Sequence, residues 1–292
     1  LNHQITFLVD SDSEMAFNAI KAKNYPVLMQ KSEDILDEIK SISPDVIVND
    51  RLDTDKLYVK TLKDLGYKVI NFEDLGMGCE YADLVINAIY PEKHVLPNHY
   101  FGQEYFILRD EFILSEEKII TSEVKNILIT FGGVDPNNYT EKVIQTINEY
   151  CIENNITITV ISGFGYANYD SIKDYKNVIV KRNVSNISDY MLQADLVFTS
   201  AGRTVYEVAS IGTPAIVMGQ NEREMTHFFA SAEYGFSNLG LGYKVSNEEL
   251  KEESLRLVNS FESRKHMSNL MKKQDLKSGR KRVQKLIQDL IQ

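Results

Sequence analysis

Short runs of β-branched and aliphatic residues alternate along this chain with longer segments whose apolar positions fall three and four apart. That is the pattern of βα units and a parallel sheet. In the first part "ITFLVD", "DVIVND", "YKVINFED" and "ADLVINA" read as strands. Between them "SEMAFNAIKAK", "SEDILDEIKSI" and "TDKLYVKTLKDLG" read as helices, the second opened by Ser32 as N-cap and the third by Thr54. From Tyr90 to Ser122 the periodicity weakens and Pro91, Pro97 and Gly102 interrupt it. The alternation then resumes with "KNILITFGG", a helix Tyr139 to Glu153, "ITITVIS", a short helix near Asn168, "NVIVKR", a helix from Ile187, "DLVFTS", a helix after Gly202, "PAIVM" and a helix from Glu222. The tail from Asn247 to Gln292 is helical in pattern throughout, with Asn247 to Glu249 as its cap. The expected architecture is α/β, two Rossmann-like halves with parallel sheets and a helical C-terminal tail. One half covers residues 1–118 and the other, which would hold the ligand, residues 119–292.

Composition narrows the function. With 42 acidic against 32 basic side chains the formal charge is −10, and "MKKQDLKSGRKR" is the single basic block, so a phosphate-backbone partner has little electrostatic support. No nucleic-acid partner is expected. Cys79 and Cys151 lie far apart without a CxxC, which argues against a thiolate metal site and fits a reducing, cytoplasmic setting. No apolar run reaches the roughly 20 residues that span a bilayer, and no metal cluster or resident cofactor is expected. The P-loop, HExxH and GxSxG patterns do not occur, and "GFGYAN" at Gly163 lacks the third glycine of a dinucleotide fingerprint.

Two strand ends carry small residues. Gly132 and Gly133 follow "ILITF", and Ser200, Ala201 and Gly202, with Arg203 and Thr204, follow "LVFT". Such turns let backbone amides approach a bulky anion at the carboxyl ends of parallel strands. Glu207, five residues past Gly202, then falls where a carboxylate can accept the hydroxyls of a ribose. Taken singly, a strand-Gly-Gly turn is ordinary geometry and an early helical Glu is a dipole-favoured surface residue. Both turns fall in one half, however, and the next strand ends in the polar "GQNERE", so the ligand reading is preferred. His227, placed in the helix from Glu222, reads more simply as a half-buried polar residue than as a base.

With those residues in hand the chain resembles GT-B-type proteins. More narrowly it is similar to the UDP-sugar hydrolases of pseudaminic acid biosynthesis (PseG) and the spore-coat polysaccharide SpsG group, relatives of the MurG glycosyltransferases. The resemblance rests on "VINFEDLG", "YFILRDEF", "ILITFGGVDPNNYTEKV" and "MLQADLVFTSAGRTVYEVASIGTPAIVM", in order over nearly the whole chain. It implies a nucleotide-sugar pocket of Gly132, Gly133, Asn183, Ser200, Ala201, Gly202, Arg203, Thr204, Glu207, Gln220 and Asn221, with the base against residues 183–187. It also implies hydrolysis of a UDP-activated amino sugar of the diacetamido-trideoxy-hexose type. A glycosyltransferase with the same donor, or a non-catalytic binding domain, are the alternatives. Arg109 and Glu111 become sugar-side candidates, and Asp50, Asp74 and His227 catalytic candidates, with Glu73 beside them. The family opens with a glycine-rich turn GxGHxxR bearing its base, which this sequence does not contain. The expectation is therefore of a strand-turn-helix unit upstream, of poor turnover by these residues alone, and of an upstream cytidylyltransferase-like domain as a possible fusion partner. His3, His94, His99 and His266 lie outside any such turn.

Overall fold

The computed structural model describes residues 3–92 and 96–292. His94 therefore lies outside the described residues. The chain divides into two compact units, one ending at Asp83 and one running from Leu84 to Leu290.

In the first unit β1 (Phe7–Val9) pairs in parallel with β2 (Val27–Met29), across helix α1 (Glu14–Ala22). After α2 (Ile35–Ile42), β3 (Val46–Asn49) pairs in parallel with β4 (Lys68–Phe72), joined by α3 (Lys56–Asp64). The sequence missed β2, a three-residue strand with no alternation to mark it. It also put two caps slightly early. Asp34 Oδ1 accepts from Leu36 N at 2.9 Å, and Asp55 Oδ1 accepts from Leu57 N at 2.7 Å. These carboxylates displace Ser32 and Thr54 because they stand at the Ncap position itself. Asn49 and Asn71, at the carboxyl ends of β3 and β4, bond to each other at 2.8 Å. Asp74, fully buried, accepts from Thr54 N, the Thr54 hydroxyl, Asn71 Nδ2 and Gly76 N. This closes the two loops that follow the strands.

The second unit begins with β5 (Leu84–Asn87) and the parallel β6 (His99–Phe101), the latter unforeseen, and a short helix α4 (Asp110–Leu114). Its main sheet comprises β7 (Asn126–Ile129), β8 (Thr157–Ser162), β9 (Val178–Arg182), β10 (Leu196–Thr199), β11 (Ala215–Gly219) and β12 (Phe236–Leu241). They lie in the order β12-β11-β10-β7-β8-β9, and every pair is parallel. The crossovers are α5 (Tyr139–Glu153), α6 (Tyr169–Ile172), α7 (Ile187–Gln193) and α8 (Thr204–Ile211). Strands β10 and β11 are buried along their whole length, as their unbroken apolar runs demand. Ile127, Ile129, Val143, Ile147, Phe198 and Met218 share the core on one face.

The helix expected from Glu222 does not form. Residues Glu224–Thr226 and Ala232–Tyr234 make 3₁₀ turns instead, and the sequence missed edge strand β12 behind them. The reason is local competition, because Glu224 Oε2 turns back to Gln220 N at 2.8 Å and Asn221 Oδ1 takes Glu224 N at 3.0 Å.

The tail forms α9 (Asn247–Asn259), α10 (Phe261–Lys272) and α11 (Gly279–Ile291), with Ser246 rather than Asn247 as the first cap. The basic block serves this unit from within. Lys277 Nζ donates to Ser115 O at 2.6 Å, Arg280 Nη2 to Leu108 O at 2.6 Å, and Arg282 Nη1 to Glu104 O at 3.0 Å. Among the described residues no helix is long and apolar enough to cross a membrane.

Candidate functional site

Strands β7 and β10 are neighbours, with Ile129 opposite Phe198, yet chain order runs away from them in opposite directions. This is the topological switch point of the sheet, where ligands of open α/β sheets bind outside the carboxyl ends. The two small-residue turns singled out in the sequence are those that leave this point. Gly132 takes φ +79°, a conformation an L side chain rarely adopts. The turn is backed by the loop after β8, since a Cβ on Gly163 would lie 2.4 Å from Gly133 Cα, and Gly165 N donates to Gly133 O at 3.1 Å. "GFGYAN" thus props the first turn. Gly163→Ala is expected to destabilise the unit by about 1–3 kcal/mol through backbone overpacking, seen as a lower midpoint in thermal unfolding. An unchanged midpoint would show that the two loops are free to part.

The second turn leads into α8, whose first amides lack intrahelical partners and carry the positive end of the dipole. Ser200 and Ala201 are buried, Gly202 and Thr204 half-buried, and Arg203 exposed, its guanidinium 4.8 Å from the ring centre of Phe106. A carboxylate already sits against this turn. Glu224 accepts from Gln220 N, and the Ala201 amide and Ser200 hydroxyl also act on it; its Oε1 would be 3.3 Å from a Cβ on Gly202. Burial pushes the Glu224 carboxyl above its usual range, against the pull of those donors.

His227 follows the 3₁₀ turn rather than sitting in a helix. Its Nδ1 lies 2.8 Å from Ala201 O. A carbonyl only accepts, so Nδ1 carries the proton and the lone pair is on Nε2. Burial lowers the affinity of the ring for a second proton, and Tyr90 packs edge-on against it at 5.2 Å. His99 lies in β6, His266 on α10, and exposed His3 precedes β1.

Glu207 projects from the first turns of α8 with its side chain 16% exposed. Arg109 Nε and Nη2 each meet its Oε1 at 2.9 Å, and Arg109 Nη1 meets Glu111 Oε1 at 2.8 Å. Glu111 Oε2 in turn accepts from Ser188 N at the start of α7, at 3.1 Å. Burial raises the Glu207 carboxyl while the Arg109 guanidinium draws it down. Arg109 and Glu111, singled out as sugar-side groups, are thus joined to Glu207 itself. No sequence signal links positions 98 residues apart, so the contact was invisible beforehand.

Gln220 is buried and engaged at the first turn, its Nε2 donating to Asp135 Oδ1 at 2.8 Å while its Oε1 accepts from Asn137 at 2.8 Å. Asp135 also receives Tyr139 N and Thr140 N, holding the start of α5. Asn221 is exposed and caps the Glu224 turn. Asn183, at φ +50°, donates its N–H to Ser162 O at 3.1 Å. Asp50, exposed, and Glu73, buried, belong with Asp74 to the first unit. Cys79 and Cys151 are both buried, and burial pushes their thiols up to about 11 and about 12, so neither is a thiolate at neutral pH.

A family model described as the glycosyltransferase family 28 C-terminal domain matches residues 126–290, from the first residue of β7 into α11. Similar in sequence is an uncharacterised protein of Methanocaldococcus jannaschii, 31% identical over 240 residues, covering 75% of this chain and 49% of that protein. The chain thus spans about half the length of that relative. The spore coat polysaccharide biosynthesis protein SpsG of Bacillus subtilis is 28% identical over 278 residues, covering 88% of this chain and 80% of that one. Among solved structures, MurG of Acinetobacter baumannii has a TM-score of 0.67 at 13% identity, over 97% of this chain and 99% of that one. The rhamnosyltransferase SpnG, complexed with thymidine diphosphate, has a TM-score of 0.59 at 11% identity, over 96% and 99%. The fold is GT-B-like, and the chain belongs to the family described as the glycosyltransferase family 28 C-terminal domain, an SpsG-like member of it.

Proposed function

We propose that the chain binds a nucleoside diphosphate sugar at the β7/β10 switch point and cleaves its sugar–phosphate bond with water. The observation that carries this reading is the Glu224 carboxylate at the turn of residues 200–202. The Ala201 amide and Ser200 hydroxyl of that turn already act on the carboxylate, and donors at a strand end of this kind suit the negative charge of a diphosphate. The diphosphate takes the amides of residues 201–204 and the glycine turn of 132–133, the ribose hydroxyls take Glu207, and the base lies against residues 183–187. Gln220 and Asn221 stand on the sugar side. SpnG, of similar fold, was solved with thymidine diphosphate, which supports a diphosphate here.

In the reaction a water oxygen attacks the anomeric carbon, the bond from that carbon to the β-phosphate oxygen breaks, and the nucleoside diphosphate leaves with the electron pair. The water proton passes to a base, for which the Nε2 lone pair of His227 is a candidate within the unit that binds the nucleotide. We assign UDP as the nucleotide, a diacetamido-trideoxy-hexose as the sugar, and surface polysaccharide or nonulosonic acid synthesis as the setting, in a cytoplasmic protein. The functional boundary is proposed at residues 118/119. The family description favours a second reading, transfer of the same sugar to an acceptor hydroxyl. A non-catalytic binding domain, working with a cytidylyltransferase-like partner, is the third.

Release of UDP from a panel of UDP-sugars, with and without sugar acceptors, separates these readings. Hydrolysis predicts acceptor-independent UDP and free sugar in equal amounts. UDP release that requires an acceptor would replace water with transfer, and binding without release would leave a binding domain.

A further inference from the structure

Phe164 is 66% exposed, at the carboxyl end of β8. Burying such a ring is ordinarily favourable, so its position calls for a reason. It is held by its backbone and not by a core. Gly163 on one side abuts Gly133, Gly165 on the other bonds to Gly133 O, and Arg182 Nη2 donates to Phe164 O at 2.8 Å. The same Arg182 guanidinium stands 5.7 Å from the ring centre. Arg182 ends β9, and the next residue, Asn183, bonds back to Ser162 just before the Gly163 turn. The loop of residues 183–187 therefore starts beside the turn that carries Phe164. It ends at Ser188, whose amide Glu111 ties through Arg109 to Glu207.

We infer that Phe164, backed by Arg182, is a stacking face for the nucleobase. The inference rests on the nucleoside diphosphate reading above and deepens it. The ribose acid marks one end of the 183–187 loop and an exposed planar ring, prealigned by glycine contacts, marks the other. A base placed against that loop covers the ring, and the guanidinium behind it steadies the ring by cation–π attraction. Stacking tolerates every base, so the ring strengthens binding without selecting uracil, and the loop backbone is left to choose.

The test compares UDP with inorganic pyrophosphate, which shares the diphosphate but has no base. Phe164→Ala is expected to weaken UDP binding about tenfold and leave pyrophosphate binding and the unfolding midpoint unchanged. The sequence contains no tryptophan, so Phe164→Trp supplies a single tryptophan, whose selectively excited emission is expected to be quenched by UDP and not by pyrophosphate. If wild type binds UDP and Phe164→Ala binds it equally well, or loses UDP and pyrophosphate alike, the stacking role is wrong while the nucleotide site stands. If wild type binds neither ligand, the nucleotide site falls and the stacking role with it.

Discussion

Replacing Glu207 by alanine is expected to weaken UDP binding by one to two orders of magnitude, read by titration calorimetry on a protein that remains folded. The side chain would contribute two charge-assisted hydrogen bonds to the ribose, each worth about 1.5–3 kcal/mol, with tenfold in affinity for every 1.4 kcal/mol. The loss falls below that sum because Arg109, half-exposed, already shares the carboxylate. Pyrophosphate, which has no ribose, should bind Glu207→Ala as it binds wild type. Equal loss for both ligands would mean that Glu207 shapes the turn through Arg109 and does not touch the ribose.

The opposite sign is expected at Glu224. If a diphosphate takes the Ala201 amide that this carboxylate now occupies, the two anions compete, and Glu224→Ala should tighten UDP about tenfold near neutral pH, the equivalent of one displaced charge-assisted contact. The pH dependence follows from the direction of its shift. Burial raises the folded carboxyl above its ordinary value, so between the two values the folded state binds more protons and stability increases as pH falls, the gain being lost as pH rises through the folded value. In the same window the neutral side chain is a weaker competitor. Wild type should therefore gain UDP affinity relative to Glu224→Ala as pH is lowered towards the ordinary carboxyl range. The ratio of the two affinities cancels the titration of the nucleotide itself. A Glu224→Ala protein that binds more weakly at every pH would show that the carboxylate supports the turn instead of blocking it.

The elements that build the site were the most legible in the sequence. The stretches "ILITF" and "DLVFTS" are continuous apolar runs because β7 and β10 are buried on both faces, and each hands over to an amphipathic helix at a small-residue turn. Three strands, β2, β6 and β12, were not legible. β2 and β6 have three residues each, and "FSNLGL" of β12 mixes Asn and Gly into an edge position where burial does not enforce a pattern. The segment after β11 misled for another reason. Its apolar spacing suits a helix, but Glu224 and Asn221 hydrogen-bond to nearby backbone, and His227 leaves the turn in an extended conformation. The same local chemistry that spoiled the prediction places Glu224 and His227 against residues 200–202. Long-range partners such as Arg109 and Glu207, or Gln220 and Asp135, have no trace in local periodicity.

The central claim is that a nucleoside diphosphate binds where β7 and β10 part, and a crystal structure with UDP tests it most directly. The account predicts diphosphate density on the amides of residues 201–204 with the Glu224 carboxylate moved aside, and the ribose hydroxyls on Glu207. UDP seated elsewhere, or the Glu224 carboxylate still on the Ala201 amide with the nucleotide bound, would contradict it.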